Sequence, residues 1–376
     1  MQKNKRRVIL IALLLAIPAV ILFPRGGFLS EHLPSASQAI ASRYVAENLQ
    51  VYVATNFPFK SKLQEIGMDL RIAGGKREHN GTFIGEDVLV KNVQAPAPEI
   101  EEANTKAVSD FAEYARSIGR QVYFTLIPTA SAITNTAVPS FADVFNQRLF
   151  IENVYGELAG KLVAIDTYLP LYTNRDQYMF YRTENNVTAY GGYHIYSALS
   201  KRMLGVDNPS YNAFDIDYVR DDYYGDLYAG SPDKDIRPDV LILFKYSRNP
   251  REYIVTHRDY TGVKTYHTLF PRHMVDIGRD MDVYLGGLSA QTDIISSSPN
   301  NRKLRLLLFG DKTALSYLPF LANHYQQITF LDLFHGDMAF ENIYLEDYDQ
   351  ILMAYSVESY VAAGSVPSRV SIFNDR

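Results

Sequence analysis

The chain is predicted to fold as an α/β sandwich around a mostly parallel sheet, and three observations point there. Short, nearly continuous apolar strands recur along it, each alternates with a segment of helical periodicity, and each ends at Gly, Pro, Asp or Ser. A strand that is apolar at every position has no face to give to water, so helices must cover both sides of the sheet. At 376 residues and 47% hydrophobic content the chain can bury a sizeable core.

The first element is "MQKNKRRVILIALLLAIPAVILF", in which a basic flank (residues 1–7) precedes an uncharged apolar run from Val8 to Phe23. At about 1.5 Å per residue that run nearly crosses a hydrocarbon core of roughly 30 Å, so residues 8–24 are predicted to be a single-pass transmembrane anchor. The basic flank stays cytoplasmic and the rest of the chain is exported. A cleavable signal peptide is the alternative, but Ala39-Ile40-Ala41, the small-residue triplet it would need, lies far from the apolar run. Residues 25–50 read as a juxtamembrane spacer, interrupted by Gly26, Gly27 and Pro34, and then a helix from about Ala39 to Leu49. Residues 51–376 form the extracytoplasmic domain.

Within that domain Ile100, Ala103, Ala107, Phe111, Ala115 and Ile118 recur at helical spacing, and Gly119 closes the helix. The Pro-rich "VQAPAPEI" before it is a surface loop, and "QVYFTLIP" after it is a strand stopped by Pro128. The succession repeats as Asp143 to Leu158 feeding "KLVAID", and as a Thr188 to Leu204 helix followed by "PDVLILFKY". It closes with "LRLLLFG", a helix running to Tyr325, "QITFLDL" and "DQILMAYS". Between Ser247 and Asp282 the sequence is polar, aromatic and weakly periodic, so an excursion from the sheet is predicted there.

Composition excludes several classes of function. The net charge is -5 with four cations in the first seven residues, so the body is more acidic still, and nucleic acid is no partner for it. Cysteine is absent, which removes disulfides, thiolate metal sites, a cysteine nucleophile and a lipidated cysteine. The eight histidines are scattered, with His194 on a helix face, and the pairs Asp221-Asp222 and Glu346-Asp347 read as solvated loops. No metal and no cofactor is therefore predicted. "GGKREHNG" is a turn rather than a phosphate loop. With 28 Tyr and 20 Phe the chain has ample aromatic surface, for ordinary packing or for contact with sugars.

Ligands of parallel sheets bind beyond the carboxyl ends of the strands, which here are Pro128-Thr129, Asp166, Gly310-Asp311-Lys312 and Asp332. A strand ending in Gly-Asp at a tight turn is how several hydrolases expose a serine, yet the exposed position is Lys312. Its nearest hydroxyls are Thr313 and Ser316. Beside Asp311 a lysine keeps its proton and is a poor nucleophile.

A second segment, "FYRTENNVTAYGGYHIYSALSKRML", sets Glu184, Asn185 and Asn186 in a loop before a helix that Thr188 caps. Together with "NFPFKSKLQEIGMDLRIAGGKREHNGTFIGED", "VYFTLIPTASAI", "DDYYGDLYAGSPDKDIRPDVLILF", "VYLGGLSAQTDI" and "FGDKTALSYLPFLANHYQQITFLDL", it resembles the DHHW family of bacterial exported proteins. These are relatives of the SGNH hydrolases and of the acetyltransferases that modify alginate. The likeness runs from about Asn56 almost to the C-terminus.

The resemblance implies an SGNH-hydrolase-like three-layer sandwich in which an Asp-x-His pair precedes a nucleophilic serine. Carried over by position, the acid falls on Glu184, the base on Asn186, the motif tryptophan on Val187 and the serine on Lys312. The family asparagine after paired glycines falls on Leu288. Only the acid keeps its chemical type. An amide does not titrate near neutrality, and a triad without base or nucleophile has lost its function as a unit. The resemblance thus implies a pseudoenzyme with Glu184 and Lys312 as an ion pair and Asn186 bonded to one of them. Asp311, Thr313, Tyr181, Arg182 and Thr129 are the candidates for contact with substrate.

Family context implies a bacterial cell-membrane protein that assists O-acetylation of a surface polysaccharide or wall polymer. It would bind glycan, or a partner such as a membrane-bound O-acyltransferase, without transferring the acyl group. The alternative is an active O-acetyltransferase or carbohydrate esterase with a rearranged set, Thr313 or Ser316 as nucleophile and His324 as base.

Overall fold

The computed structural model describes residues 60–134, 138–139, 142–207, 210–247, 251–297, 303–335, 343–362 and 370–373. The predicted flank, anchor and spacer, residues 1–50, lie outside them. Among the described residues no helix is long and apolar enough to cross a membrane. The chain divides into two units, Met1–Gly74 and Gly75–Arg376. The described part of the first is one helix, α1 (Lys60–Ala73), with Arg71 in its last turn.

The second unit opens with a small antiparallel sheet of β1 (Glu78–His79), β2 (Thr82–Ile84) and β3 (Leu89–Lys91). Asn80 and Gly81 join β1 to β2 with φ of 50° and 67°, the left-handed pair that a two-residue hairpin demands. The predicted turn in "GGKREHNG" is this hairpin.

Helix α2 (Pro98–Ser117) begins with proline in its first turn, where the missing N–H costs nothing, and with Glu99 and Glu101 facing the positive end of its dipole. Its buried face is turned slightly from the predicted stripe: Ala103 is exposed, whereas Asn104 and Thr105 are buried. The Asn104 NH₂ donates to the Tyr360 carbonyl and the Thr105 hydroxyl lies 3.1 Å from the Tyr360 phenol, which offsets part of the cost of burying them. The Asn104 Oδ1 is buried without a hydrogen-bond partner among the described residues.

The chain continues through β4 (Val122–Ile127), α3 (Ala130–Ile133), α4 (Gln147–Glu157), β5 (Val163–Ala164), α5 (Tyr168–Thr173) and α6 (Ala189–Leu204). Next come β6 (Phe214–Tyr223), α7 (Asp226–Gly230), β7 (Asp239–Tyr246), β8 (Tyr253–Asp259), β9 (Gly262–Tyr266), α8 (His273–Asp276) and β10 (Gln291–Ser296). The last elements are β11 (Arg305–Gly310), α9 (Ala314–Leu321), β12 (Gln327–Asp332), β13 (Gln350–Ser356) and α10 (Val357–Val361).

The main sheet has the order β5-β4-β13-β11-β12-β10-β8-β9. It is parallel from β5 to β12 and antiparallel from there to the β9 edge, so it is mixed rather than mostly parallel. The segment predicted to leave the sheet in fact extends it. A two-residue connection, Tyr260-Thr261, links β8 to β9, and so short a link allows only antiparallel pairing. Conversely, β7, predicted to join the main sheet, pairs with β6 in a separate two-stranded ribbon. Leu241 to Phe244 of β7 are all buried, a pattern that demands cover without choosing a neighbour.

Alternation in β11 shows how the layers form. Leu306 and Leu308 join a core with Tyr196 and Leu199 of α6 and with Leu318 and Phe320 of α9. Leu307 and Phe309 join the opposite core, with Phe111 of α2, Val154 of α4 and Tyr360 of α10. Each such side chain, fully buried, contributes roughly 1.5–3 kcal/mol. The central strands are therefore locked in register from both sides, and their carboxyl ends share one rim.

Candidate functional site

At that rim β4, β11, β12 and β13 give out into a cleft of about 580 Å³. One wall is the loop carrying Glu184 and Asn186, and its anchor is a carboxylate that the sequence reading passed over. Asp239, fully buried, accepts the Arg182 N–H at 2.7 Å, the Thr183 N–H at 2.8 Å and the hydroxyls of Tyr178 and Thr183. The Thr183 hydroxyl oxygen in turn accepts the Gly225 N–H at 2.9 Å. Position 225 must be glycine, because a Cβ there would lie 2.5 Å from the Glu184 side chain.

So held, Glu184 is nearly buried and well supplied with donors. Its Oε2 accepts the Tyr223 hydroxyl at 2.9 Å and the Asp226 N–H at 3.0 Å, while its Oε1 faces the Lys312 Nζ at 3.3 Å. Lys312 also reaches Asp226 Oδ2 at 3.3 Å. The Asn186 amide donates to the Lys312 backbone carbonyl at 3.3 Å, and its oxygen accepts the Val187 N–H at 2.8 Å. Val187 and Leu288 line the cleft as apolar wall.

These contacts set the protonation. Burial pulls the Lys312 ammonium down, but the carboxylates of Glu184 and Asp226, with Glu358 beyond, outweigh it and hold its pKa above the ordinary lysine value. Burial and the Glu184 charge push the Tyr223 phenol well up, so it remains a donor. The group at the elbow is thus a cation that keeps its proton. Asn186 beside it neither takes nor gives one.

The elbow itself is formed by Asp311, which is buried and accepts the Thr313 N–H at 2.8 Å, the Ser356 N–H at 2.7 Å and the Ser356 hydroxyl at 2.7 Å. It borders the cleft as a turn lock. Gly310 before it allows close strand packing, since a Cβ would stand 2.7 Å from the Ala354 carbonyl. Thr313 and Thr129 also line the cleft. The Thr129 hydroxyl is taken by Gln147, whose amide donates to it at 2.7 Å.

Other predicted positions are elsewhere. Tyr181 faces the core, with its hydroxyl 3.3 Å from that of Tyr284. Arg182 turns away to pair with Asp87 at 3.2 Å and to cover the Tyr178 ring. Asp166 is not among the residues that line the cleft, and its carboxylate accepts the N–H groups of Tyr168 and Leu169. The rearranged set does not assemble. Ser316 donates to the Thr313 carbonyl, and His324 lies 2.7 Å from the Tyr196 hydroxyl, its pKa lowered to about 4 by burial.

Asp226, His335, Ser356 and Glu358 are among the lining residues that went unrecognised, the last receiving the Asn185 amide at 2.6 Å. Asp226 follows "DDYYG" inside a quoted family block, which was the available signal. Among the described residues no three acidic or histidine side chains gather in an arrangement for a metal ion.

A family model described as DHHW protein matches residues 99–330. No curated protein sequence matches the chain. Among solved structures, a DHHW family protein from Eubacterium siraeum is similar at a TM-score of 0.64 and 17% identity, covering 78% of this chain and 96% of its own. PatB1 from Bacillus cereus, solved with a sulfonyl adduct, gives 0.63 and 17%, with coverage of 77% and 98%. The O-acetyltransferase domain of Pseudomonas putida AlgJ gives 0.49 and 12%, with coverage of 78% and 99%. With the first two the chain shares its fold.

Proposed function

The chain belongs to the DHHW protein family, and on that premise we propose that it serves O-acetylation of a cell-surface polysaccharide or wall polymer as a binding accessory. Resemblance to the acetyltransferases that modify alginate supports the pathway. One observation supports silence in the chemistry: at the position where the family has its nucleophile, Lys312 is held between Glu184 and Asp226. The neighbouring position, where a base is needed, holds Asn186.

Such a cleft binds and orients; it does not relay protons. A cation that keeps its charge cannot attack an acyl carbon, and the Asn186 amide cannot take a proton from a nucleophile. In this reading the apolar segment at residues 8–24 anchors the domain outside the membrane, beside a membrane-bound O-acyltransferase that supplies the acyl chemistry.

The test is hydrolysis of a chromogenic acetyl ester by the purified full-length chain, with Thr313→Ala alongside. The expected rate equals that of buffer for both proteins. Turnover by the parent that Thr313→Ala abolishes would overturn the proposal.

A further inference from the structure

The hairpin turn that borders the cleft carries chemistry of its own. Asn80-Gly81 is the one Asn-Gly pair in the chain. Both residues are left-handed, with φ of 50° and 67°, and Asn80 is exposed where it lines the cleft. Asparagine tolerates that conformation through its short polar side chain, and glycine for want of a Cβ. The Asn80 Nδ2 donates to the Gly230 carbonyl at the end of α7 at 3.4 Å, a weak bond.

An asparagine amide followed by glycine is poised for cyclisation, because no side chain on the next residue shields the backbone nitrogen. A Cβ at Gly81 would meet nothing nearer than the Lys91 Nζ at 3.8 Å, and the Gly81 N–H makes no hydrogen bond among the described residues. That nitrogen can therefore attack the Asn80 side-chain carbonyl carbon. The new N–C bond closes a cyclic imide, the Cγ–Nδ2 bond breaks, and the proton of the attacking nitrogen leaves with the amide nitrogen as ammonia. Water then opens the ring at either carbonyl, which gives aspartate or isoaspartate.

Two local features favour the step. The Lys91 ammonium beside the turn stabilises the deprotonated Gly81 nitrogen that attacks. The turn also opens at low cost, since β1 has two residues and is the edge of a three-stranded sheet. We propose that Asn80 is a self-modification site in the cleft wall, which converts to aspartate and isoaspartate as the protein ages. The product sets a carboxylate against the Gly230 carbonyl, two acceptors face to face, so α7 loses a tie near Asp226. Isoaspartate in addition lengthens the backbone inside the turn. None of this depends on whether the cleft binds glycan.

The test ages the full-length chain in mildly alkaline buffer and follows every asparagine peptide by mass spectrometry, with an isoaspartate-specific methylation assay alongside. Asn80 should convert faster than any other asparagine, to both products, at a rate that rises in proportion to hydroxide. Lys91→Ala should slow it about threefold, the effect of one charge at this range in water. Gly81→Ala should slow it further, but it strains a left-handed position, so Lys91→Ala is the variant that keeps the turn intact. Asn80→Asp, made directly, should raise amide hydrogen exchange along α7. Asn80 still intact when a free peptide of residues 77–84 has converted, or another asparagine converting first, overturns the proposal. An unchanged rate in Lys91→Ala overturns the role of the lysine, and unchanged exchange in Asn80→Asp overturns the consequence for the cleft wall.

Discussion

Glu184 and Lys312 stand 128 residues apart in the chain and meet at 3.3 Å across the cleft. The carboxylate is the more buried partner, with a side chain 9% exposed against 36% for the lysine. Removing the lysine alone leaves a nearly buried anion short of its cation, whereas exchanging both leaves neutral groups. Lys312→Met should therefore destabilise the chain by about 1–2 kcal/mol, a figure discounted for the lysine's exposure. The Glu184→Gln, Lys312→Met double variant should recover at least half of that. Because the folded pKa is raised, the pair's contribution is complete below pH 10.5 and fades as pH rises through the higher folded value. Melts at neutral pH that show additive losses would remove the pair from the account.

Asp239 carries the loop on which that pair depends. Four donors converge on its buried carboxylate, two of them the backbone N–H groups of Arg182 and Thr183. In Asp239→Asn one oxygen becomes an NH₂ group that faces donors, so the expected loss is about 2–3 kcal/mol. Amide hydrogen exchange should rise at Arg182 and Thr183 in the same variant. Unchanged protection there would show that the loop is held by something else.

What the sequence made legible was what burial alone decides. The runs in β4, β11, β12 and β13 had to be covered on both faces, and they are. Pairing was not legible, since the run in β7 looks the same whether its neighbour is the main sheet or β6. In the site, Glu184 and Lys312 could be brought together only through their correspondence with family positions. Asp226 and Glu358 went unrecognised because nothing local marks an acidic residue that another segment will enclose. Tyr181 and Arg182 adjoin the Glu184 loop in sequence, but the turn Asp239 fixes sends them to other sides.

Backbone contact between α6 and α9 depends on Gly192. A Cβ there would lie 2.1 Å from the Ser316 carbonyl oxygen, which is backbone and cannot swing aside. Gly192→Ala should cost about 1–3 kcal/mol by forcing the helices apart. Gly156, inside α4 with nothing within 4 Å of such a Cβ, is the counterpart. Gly156→Ala should stabilise by about 0.5–1 kcal/mol through lost unfolded-state entropy. Urea titrations of the two variants should move in opposite directions; a shared direction would contradict the packing described.

Acid sensitivity should come in part from His324. Burial, and then the Arg251 charge, lowers its pKa from 6.5 to about 4. A base with a depressed folded pKa binds protons more readily unfolded, so its contribution is complete above pH 6.5 and is lost as pH falls toward 4. The loss is on the order of 2–3 kcal/mol at most. His194 and His257, also lowered by burial, act in the same sense. His324→Gln, which can still bond the Tyr196 hydroxyl, should flatten this limb of the stability curve. An unchanged slope between pH 6.5 and 4 would exclude His324 as its source.

If the cleft is silent for want of two side chains, supplying them should restore chemistry. Asn186 already touches the backbone of residue 312, and Glu184 lies within 3.3 Å of the Lys312 side chain. Asn186→His would set an imidazole between that carboxylate and the elbow, and Lys312→Ser would free the carboxylate while placing a hydroxyl there. Nucleophile and base act as a unit, so each substitution alone should leave acetyl-ester hydrolysis at the buffer rate. The pair should exceed it by about 10²-fold, the lower range for a positioned base, because Leu288 offers no donor to the developing oxyanion. Adding Leu288→Asn should raise the rate again. Activity in either single variant equal to that of the pair would mean that the hydroxyl and imidazole do not work together. A correctly folded pair with no activity would mean that the cleft has lost more than its reactive groups.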